Sequence, residues 1–600
     1  MIAPRDAAGP GEVITADALD VWAADFPSIC HSHGVELRAA VAAEAEISEA
    51  FAARFIIAVL RSSRWLRWRF PAALHDGAGG GFARWMETKG ARRFQLSSAA
   101  LKKIRGVFRR PAGERIREIY LQDRELQRLY PLGLVPAGQR QFLGWLTTHG
   151  RADQNVQDHE ILWFLHAANE SVGEGLAVSY AVNPDWQERY PAGLTASRWP
   201  ELRRMLEKEY PALRRFGRQL RSPPRAQSVE AARAQSAGVN ILSHFCYPSG
   251  IQQAALWTKA ALERAGFSTS CRDVPAGIRT TLLPRVDWLG LEIHPITIIT
   301  VAPTPYFATA YERSGLARRA GVYRIAYCAW ELETIPAEWT ELLPLFDEIW
   351  SPTEFVAQAM RTRMTVPVHR MLPGVEVPGV EPVLKSALGI PEDHFVFLFM
   401  FDMFSDLERK NPSAVIRAFR RAFGPHEKAT LVLKTSEASP DAAAAERLSA
   451  EAEANGVLLV RQTLSRAKAY GHLQMCDCYV SLHRSEGFGL GMAEAMLLAK
   501  PVIATAYSGN VDFMNERNSL LVDFERVPVR NAGPLYRSGS VWAEPSEEDA
   551  AKKIRWVFEH RAEAAALGRR AQAELRETLS LTGAGERMAA RLRAIAAARS

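Results

Sequence analysis

The chain has no run of about 18 apolar residues, so no segment reads as a membrane-spanning helix. It has only six cysteines in 600 residues, and neither a zinc-ligand spacing nor a disulfide framework is visible. Cys30, Cys246, Cys271 and Cys328 are scattered, while Cys476 and Cys478 share one face of an expected strand. All read as reduced core thiols. The first twenty residues are acidic and carry proline and glycine but no apolar signal core, so a cytoplasmic location is expected. No Asp-x-Asp metal motif occurs, and no metal or other cofactor is expected.

Hydrophobic residues make up 48% and charged residues 24%, which fits a soluble globular chain too long for one core. The formal net charge is +7, with basic residues gathered at Lys102, Lys103, Arg105, Arg109 and Arg110 and again over Arg214 to Arg225. These segments read first as solvated faces, and they also suit peripheral contact with the inner face of a membrane or with a partner enzyme. Basic residues interleaved with aromatics in a nucleic-acid pattern are missing, so no nucleic acid is expected.

Residues 1–225 read as helical, with an internal repeat. Phe70-Pro71, Tyr130-Pro131 and Tyr190-Pro191 recur at intervals of 60 residues, each followed by apolar residues at helical spacing. The pattern predicts proline-started turns leading into helices, stacked as an array of about three units. Eight of the 15 tryptophans lie here, and Trp85 and Trp145 occupy matching positions that suit core packing. A linker is expected over 226–237.

Beyond it, short apolar strands alternate with helices, which predicts parallel, doubly wound sheets. One α/β domain is expected over 238–385, a second over 386–560, and C-terminal helices over 561–600. The cleft between two such sheets is where these folds bind ligands.

The most informative stretch is Ser481-Leu-His-Arg-Ser-Glu486-Gly-Phe-Gly-Leu-Gly-Met-Ala-Glu494, a strand, a glycine turn and a helix start with two carboxylates eight positions apart. Backbone N–H groups at such a turn suit a phosphate, and the carboxylates suit sugar hydroxyls. Gly487, Gly489 and Gly491 let backbone approach a ligand closely. Arg409 and Lys410 open a helix in the same domain and suit a diphosphate. A dinucleotide fingerprint fails on position, because that motif belongs in the first βα turn with an acid about 20 residues on.

Glu486 to Glu494 resembles the E-x7-E signature of retaining GT-B glycosyltransferases, particularly glycosyltransferase family four. Pro501-Val-Ile-Ala-Thr with Ser508-Gly-Asn, Arg409-Lys410-Asn-Pro, Leu372-Pro-Gly374-Val-Glu and Phe346-Asp-Glu-Ile-Trp-Ser-Pro-Thr-Glu-Phe355 extend the likeness across residues 236–600. The resemblance implies an α/β GT-B fold of two Rossmann-like domains behind a mostly helical repeat region. It implies a metal-independent hexosyltransferase-like activity, moving a sugar with retention from a nucleotide-diphosphate sugar to a saccharide or lipid-linked acceptor, in bacterial surface polysaccharide or glycoconjugate synthesis.

Carried over residue by residue, Lys410 and Arg409 would face the donor diphosphate and Glu486 the donor sugar. Gly487, Phe488, Gly489 and Leu490 would lend N–H groups, and Glu494 would hold the ribose. Gly250 would lie in the βα turn that closes on the phosphate or acceptor. The chain departs from the pattern at Phe401-Asp402, where the family often has Gly-Arg, and at Cys328-Ala-Trp330-Glu331, where many members have a histidine. Trp330 and Glu331 are expected to line the cleft in another role. The alternative is a catalytically degenerate scaffold or carbohydrate-binding protein of the same fold.

Overall fold

The computed structural model describes residues 47–224, 237–276, 283–437, 439, 441–530, 536 and 539–599. Cys30, the acidic first twenty residues and all but the last residue of the expected linker lie outside them.

Residues 47–224 are helical and carry recurring local contacts. Three short helices, Arg64–Arg69, Arg124–Leu129 and Pro184–Arg189, start on Ser63, Asp123 and Asn183, whose side chains accept first-turn N–H groups. They stop at Phe70, Tyr130 and Tyr190. The aromatic-proline pairs therefore also close the preceding helix, since proline cannot continue it. The Tyr120 hydroxyl donates to the Tyr130 carbonyl at 2.9 Å, and Tyr180 does the same to Tyr190 at 2.7 Å. Phe82 stacks on Trp85 at 5.9 Å and Phe142 on Trp145 at 5.8 Å, so both tryptophans flank the core.

Two carboxylates are half-buried among these helices. Glu170 accepts the N–H groups of Leu74 and His75, and Glu118 accepts that of Arg285. Burial pushes each up to about 7. Each group's folded value lies above its unfolded one, so the stability it supports is intact below the ordinary carboxylate range and is lost as pH rises through about 7. The melting temperature is expected to fall across that window. Melts of the Glu118→Gln, Glu170→Gln double variant should show a shallower fall than the unmodified chain; parallel pH profiles would refute the assignment.

The first parallel sheet joins β1 (Gly238–Ser243), β2 (Ser268–Asp273), β3 (Ile296–Thr300), β4 (Tyr323–Tyr327), β5 (Glu348–Ser351) and β6 (Val368–Arg370) in the order β2-β1-β3-β4-β5-β6. The second joins β7 (Phe395–Met400), β8 (Ala429–Thr435), β9 (Leu458–Arg461), β10 (Cys478–Ser481), β11 (Val502–Thr505) and β12 (Leu520–Val522) in the order β12-β11-β10-β7-β8-β9. Both are doubly wound, and the strand order reverses between β1 and β3 and between β7 and β10, where ligands of such sheets bind. Behind the helical region the two sheets thus form an α/β architecture of two Rossmann-like domains.

The polar strand β2, Ser-Thr-Ser-Cys-Arg-Asp, carries no apolar signature and is visible only in the structure. It is an edge strand beside the helical region, where Arg272 donates to the Ala181 carbonyl at 2.7 Å and Arg285 meets Asp273 at 3.2 Å. An antiparallel hairpin, β13 (Phe524–Pro528) and β14 (Val541–Pro545), leaves the second domain, and its Trp542 joins the core under the first sheet.

The C-terminal helices divide between the domains. Arg561–Thr578 packs on the second, whereas Leu581–Arg599 crosses back onto the first and buries Met588, Ala589, Leu592 and Ile595 beneath its sheet. Arg591 pairs there with the buried carboxylate of Glu348, which also accepts the indole N–H of Trp350 at 2.6 Å.

Candidate functional site

Strand β10 delivers the chain to the glycine turn at the carboxyl edge of the second sheet. Gly489 has φ +94°, a left-handed conformation that glycine adopts without strain, and it starts the helix Leu490–Leu497. As at any helix start, the first-turn N–H groups lack partners within the helix. The turn is stitched to the next loop, because Glu486 N–H donates to Ser508 Oγ at 2.8 Å and Gly509 N–H donates to the Glu486 carbonyl at 2.9 Å.

Arg409 and Lys410 come from Leu407–Lys410, a single turn capped by Asp406. Asn411 then adopts a left-handed conformation, and Pro412 starts the next helix. This abrupt stop and restart points both cations at the glycine turn. The Lys410 ammonium bonds the Glu486 carboxylate, and Arg409 Nη1 lies 3.2 Å from its other oxygen. Arg409 Nη1 also donates to the Ser485 carbonyl at 2.9 Å. Burial alone would push Glu486 up, but Lys410 and Arg409 outweigh it and hold the carboxyl at about 2.

Glu494 sits one turn into the helix, 3% exposed, and accepts from Arg466 at 2.7 Å. Burial pushes its carboxyl up, with Arg466 opposing. No sequence motif singles out Arg466; it is the first residue of the helix Arg466–Met475, behind the capping Ser465. Lys434, at the end of β8, is half-buried between the charges of Asp402 and Arg466. Asp402 accepts the Ser436 hydroxyl at 2.9 Å.

The two sheet domains meet on the turn. The Thr353 hydroxyl donates to the Gly487 carbonyl at 2.9 Å, and that of Ser485 donates to the Glu331 carbonyl. A Cβ on Gly487 would lie 3.0 Å from the Ala329 Cβ and 3.1 Å from the Trp330 carbonyl oxygen, so the residue fits by having none. Gly250 faces the site, where a Cβ on it would lie 3.8 Å from Leu490 Cδ2. It is the first residue of the helix Gly250–Arg264 rather than part of the preceding turn, because Ser249 supplies the cap.

Trp330 is not an open wall of the cleft, contrary to what its sequence position suggests. Its ring is 3% exposed and packs on Trp339 under the first sheet, with its indole N–H donating to the Thr334 carbonyl at 2.9 Å. The ring also packs at 5.7 Å on Tyr536, the ring that lies against Arg409, so it backs the site while its backbone borders the turn. Glu331 does face the site, 3.8 Å from Arg409 Nη2, and accepts the Tyr536 hydroxyl at 3.2 Å. Phe488 packs on Phe513 at 5.0 Å. His483 is buried behind the turn, 3.0 Å from the Ser481 hydroxyl at Nδ1 and 3.1 Å from Asn510 Oδ1 at Nε2. The Tyr507 carbonyl also faces Nε2, so that nitrogen carries the proton. Here His483 props the turn up from behind.

Residues 381–574 match the family glycosyl transferases group 1. The matched segment takes in the whole second sheet, Arg409, Lys410 and both carboxylates of the glycine turn. No curated protein matches the chain. Among solved structures it is similar to S. aureus TarM, at 16% identity over 50% of this chain and 54% of that one, TM-score 0.37. The chain thus spans about half the length of that relative. It is also similar to Anabaena HepE, solved with UDP and glucose, at 15% identity over 60% of this chain and 100% of that one, TM-score 0.43. Sucrose-phosphate synthase of Thermosynechococcus elongatus matches at 16% identity over 60% and 100%, TM-score 0.45.

Proposed function

We propose that the chain transfers a sugar, with retention of anomeric configuration, from a nucleotide-diphosphate sugar to a saccharide or lipid-linked saccharide, in the synthesis of a bacterial surface polysaccharide or glycoconjugate. The reading rests on one observation. Two cations, Lys410 and Arg409, converge on Glu486 at the mouth of a glycine turn that starts a helix and faces the other domain.

In this reading the donor diphosphate lies against the helix start and shares Lys410 and Arg409 with Glu486. The anomeric C–O bond breaks, and its electron pair passes to the departing phosphate oxygen. The cations and turn N–H groups stabilise the charge that develops there. The acceptor hydroxyl attacks the same face, and its proton passes to the leaving phosphate. Glu486, held ionised, takes hydroxyls of the donor sugar. Glu494 takes the ribose once the nucleotide draws Arg466 aside. Lysine and helix dipole supply the positive charge, so no metal ion is needed.

A degenerate binding protein of the same fold is the competing reading, favoured by the fact that both carboxylates are already ion-paired. Incubating the full chain with UDP-, GDP-, ADP- and TDP-sugars and simple saccharide acceptors in EDTA separates the two. We expect nucleoside diphosphate release from one donor, and a product whose anomeric coupling matches the donor's. Activity lost in EDTA and restored by manganese would overturn the metal-free mechanism. Binding without release from any donor would support the degenerate protein.

A further inference from the structure

The three short helices of the N-terminal region provide an internal control. In each, the third residue is buried: Leu66, Leu126 and Trp186. In each, the fourth clamps carbonyls ending the preceding helix. Arg67 donates to Leu60 at 3.3 Å, Gln127 to Tyr120 and Leu121 at 3.0 Å, and Gln187 to Tyr180 at 3.1 Å and Ala181 at 2.9 Å. The second and fifth residues point outward. They are Glu125 and Arg128 in the second helix and Asp185 and Glu188 in the third, all exposed. In the first they are Trp65, 54% exposed, and Trp68, 77% exposed. The local fold therefore asks for nothing apolar at these positions: Trp65 makes one edge contact, with Phe70 at 6.4 Å, and both indoles stay largely in water.

Their surroundings identify the partner's chemistry. Arg64 and Arg69 flank them and are exposed. From Ala50 to His75 the chain has five arginines and no Asp, Glu, Asn or Gln. A sugar-binding platform would set carboxylates or amides beside its aromatic rings to take hydroxyls; this one offers guanidinium groups alone, which bind phosphate. The adjoining helix Ser98–Arg109, packed on Glu49–Arg61, adds exposed Lys102, Lys103 and Arg109. Exposed indoles among cations, with no acid between them, are the side-chain chemistry of a bilayer interface, where the ring lies at headgroup depth and the cations meet anionic lipid.

We propose that Trp65 and Trp68, flanked by Arg64 and Arg69, dock the helical region on a bilayer surface carrying anionic phospholipid. Binding is peripheral and reversible, and it does not depend on the transfer reaction proposed above.

The test is flotation of the full chain with vesicles of phosphatidylcholine, with and without phosphatidylglycerol. We expect binding to the anionic vesicles about ten-fold or more tighter than to the neutral ones, weakening as salt rises. Trp65→Gln/Trp68→Gln keeps the charge and should lose about ten-fold, and Arg64→Gln/Arg69→Gln should lose the preference for anionic lipid. Both variants should melt with the unmodified chain, because the replaced side chains are exposed. Equal binding to both vesicle types, or unchanged binding by the tryptophan variant, would overturn the proposal. So would a dimer of the unmodified chain that the tryptophan variant lacks, or quenching of the two indoles by a soluble saccharide, since either would name a different occupant.

Discussion

Replacing Lys410 with alanine is expected to lower kcat by about 10²–10³-fold, the usual cost of removing one preorganised donor from a developing anion. The expectation follows from how the side chain is held. Its ammonium is fixed against Glu486, in a segment whose capped turn and left-handed Asn411 leave it little freedom. A cation already in position needs no reorganisation when the diphosphate departs. Burial draws the ammonium's pKa down and Glu486 opposes it, while Lys410 and Arg409 together hold the Glu486 carboxyl at about 2. Lys410→Ala is the cleaner test because Arg409 remains 3.2 Å from Glu486 and keeps that carboxylate paired. Glu486→Gln would instead remove the carboxylate that half-buried Lys410 and buried Arg409 share, a change worth up to about 3–5 kcal/mol in stability, confusing lost folding with lost chemistry. Steady-state kinetics with the donor identified by the nucleotide-sugar panel would read the effect. A kcat within a few-fold of the unmodified enzyme would remove Lys410 from the mechanism, and a raised KM alone would reduce it to a binding contact.

What could be read from the sequence was local. The glycine turn, the strand before it and the helix after it are consecutive, and their apolar periods and glycines mark them directly. Most strands of the two sheets are apolar runs buried on both faces, so they too are visible. The polar edge strand β2 is not, because its side chains bond the flanking helical region and the loop before β3 rather than a hydrophobic layer. Pairings between distant segments leave no local trace. Arg466 on Glu494 and Ser485 on the Glu331 carbonyl join segments whose sequences would read the same if they never met. Trp330 shows the opposite error. A tryptophan beside an expected cleft invites a ligand role, yet its ring packs on Trp339 and Tyr536, and it serves the site by backing Tyr536 and through the backbone beside Gly487. The repeat was visible through its aromatic-proline pairs, while the capping residues Ser63, Asp123 and Asn183 share an interval but not an identity.

The second large effect is expected at Gly585, far from the glycine turn. The helix Leu581–Arg599 leaves the second domain and lies across Gly250–Arg264 of the first, and the two touch at this residue. A Cβ at Gly585 would overlap the Ala261 carbonyl oxygen, a backbone atom that cannot turn aside as a side chain would. Gly585→Leu must therefore lift the helix. Lifting it exposes Met588, Ala589, Leu592 and Ile595 and separates Arg591 from Glu348, leaving a buried carboxylate without its cation. Overpacking costs about 1–3 kcal/mol, and an unpaired buried charge about 3–5 kcal/mol more if the helix detaches fully. The same helix clasps the crossover between the domains, since Leu581 packs on Gly374 and Val375 N–H donates to the Leu579 carbonyl at 2.8 Å. The variant should thus melt earlier and also lose activity below its melting point, because the helix that Gly250 starts is no longer braced against the domain that carries Leu490. Calorimetry with kcat measured in parallel would show both. An unchanged melting temperature would mean that the two helices do not meet at Gly585, and a lower one with full activity would mean that the clasp stabilises the chain without positioning the site.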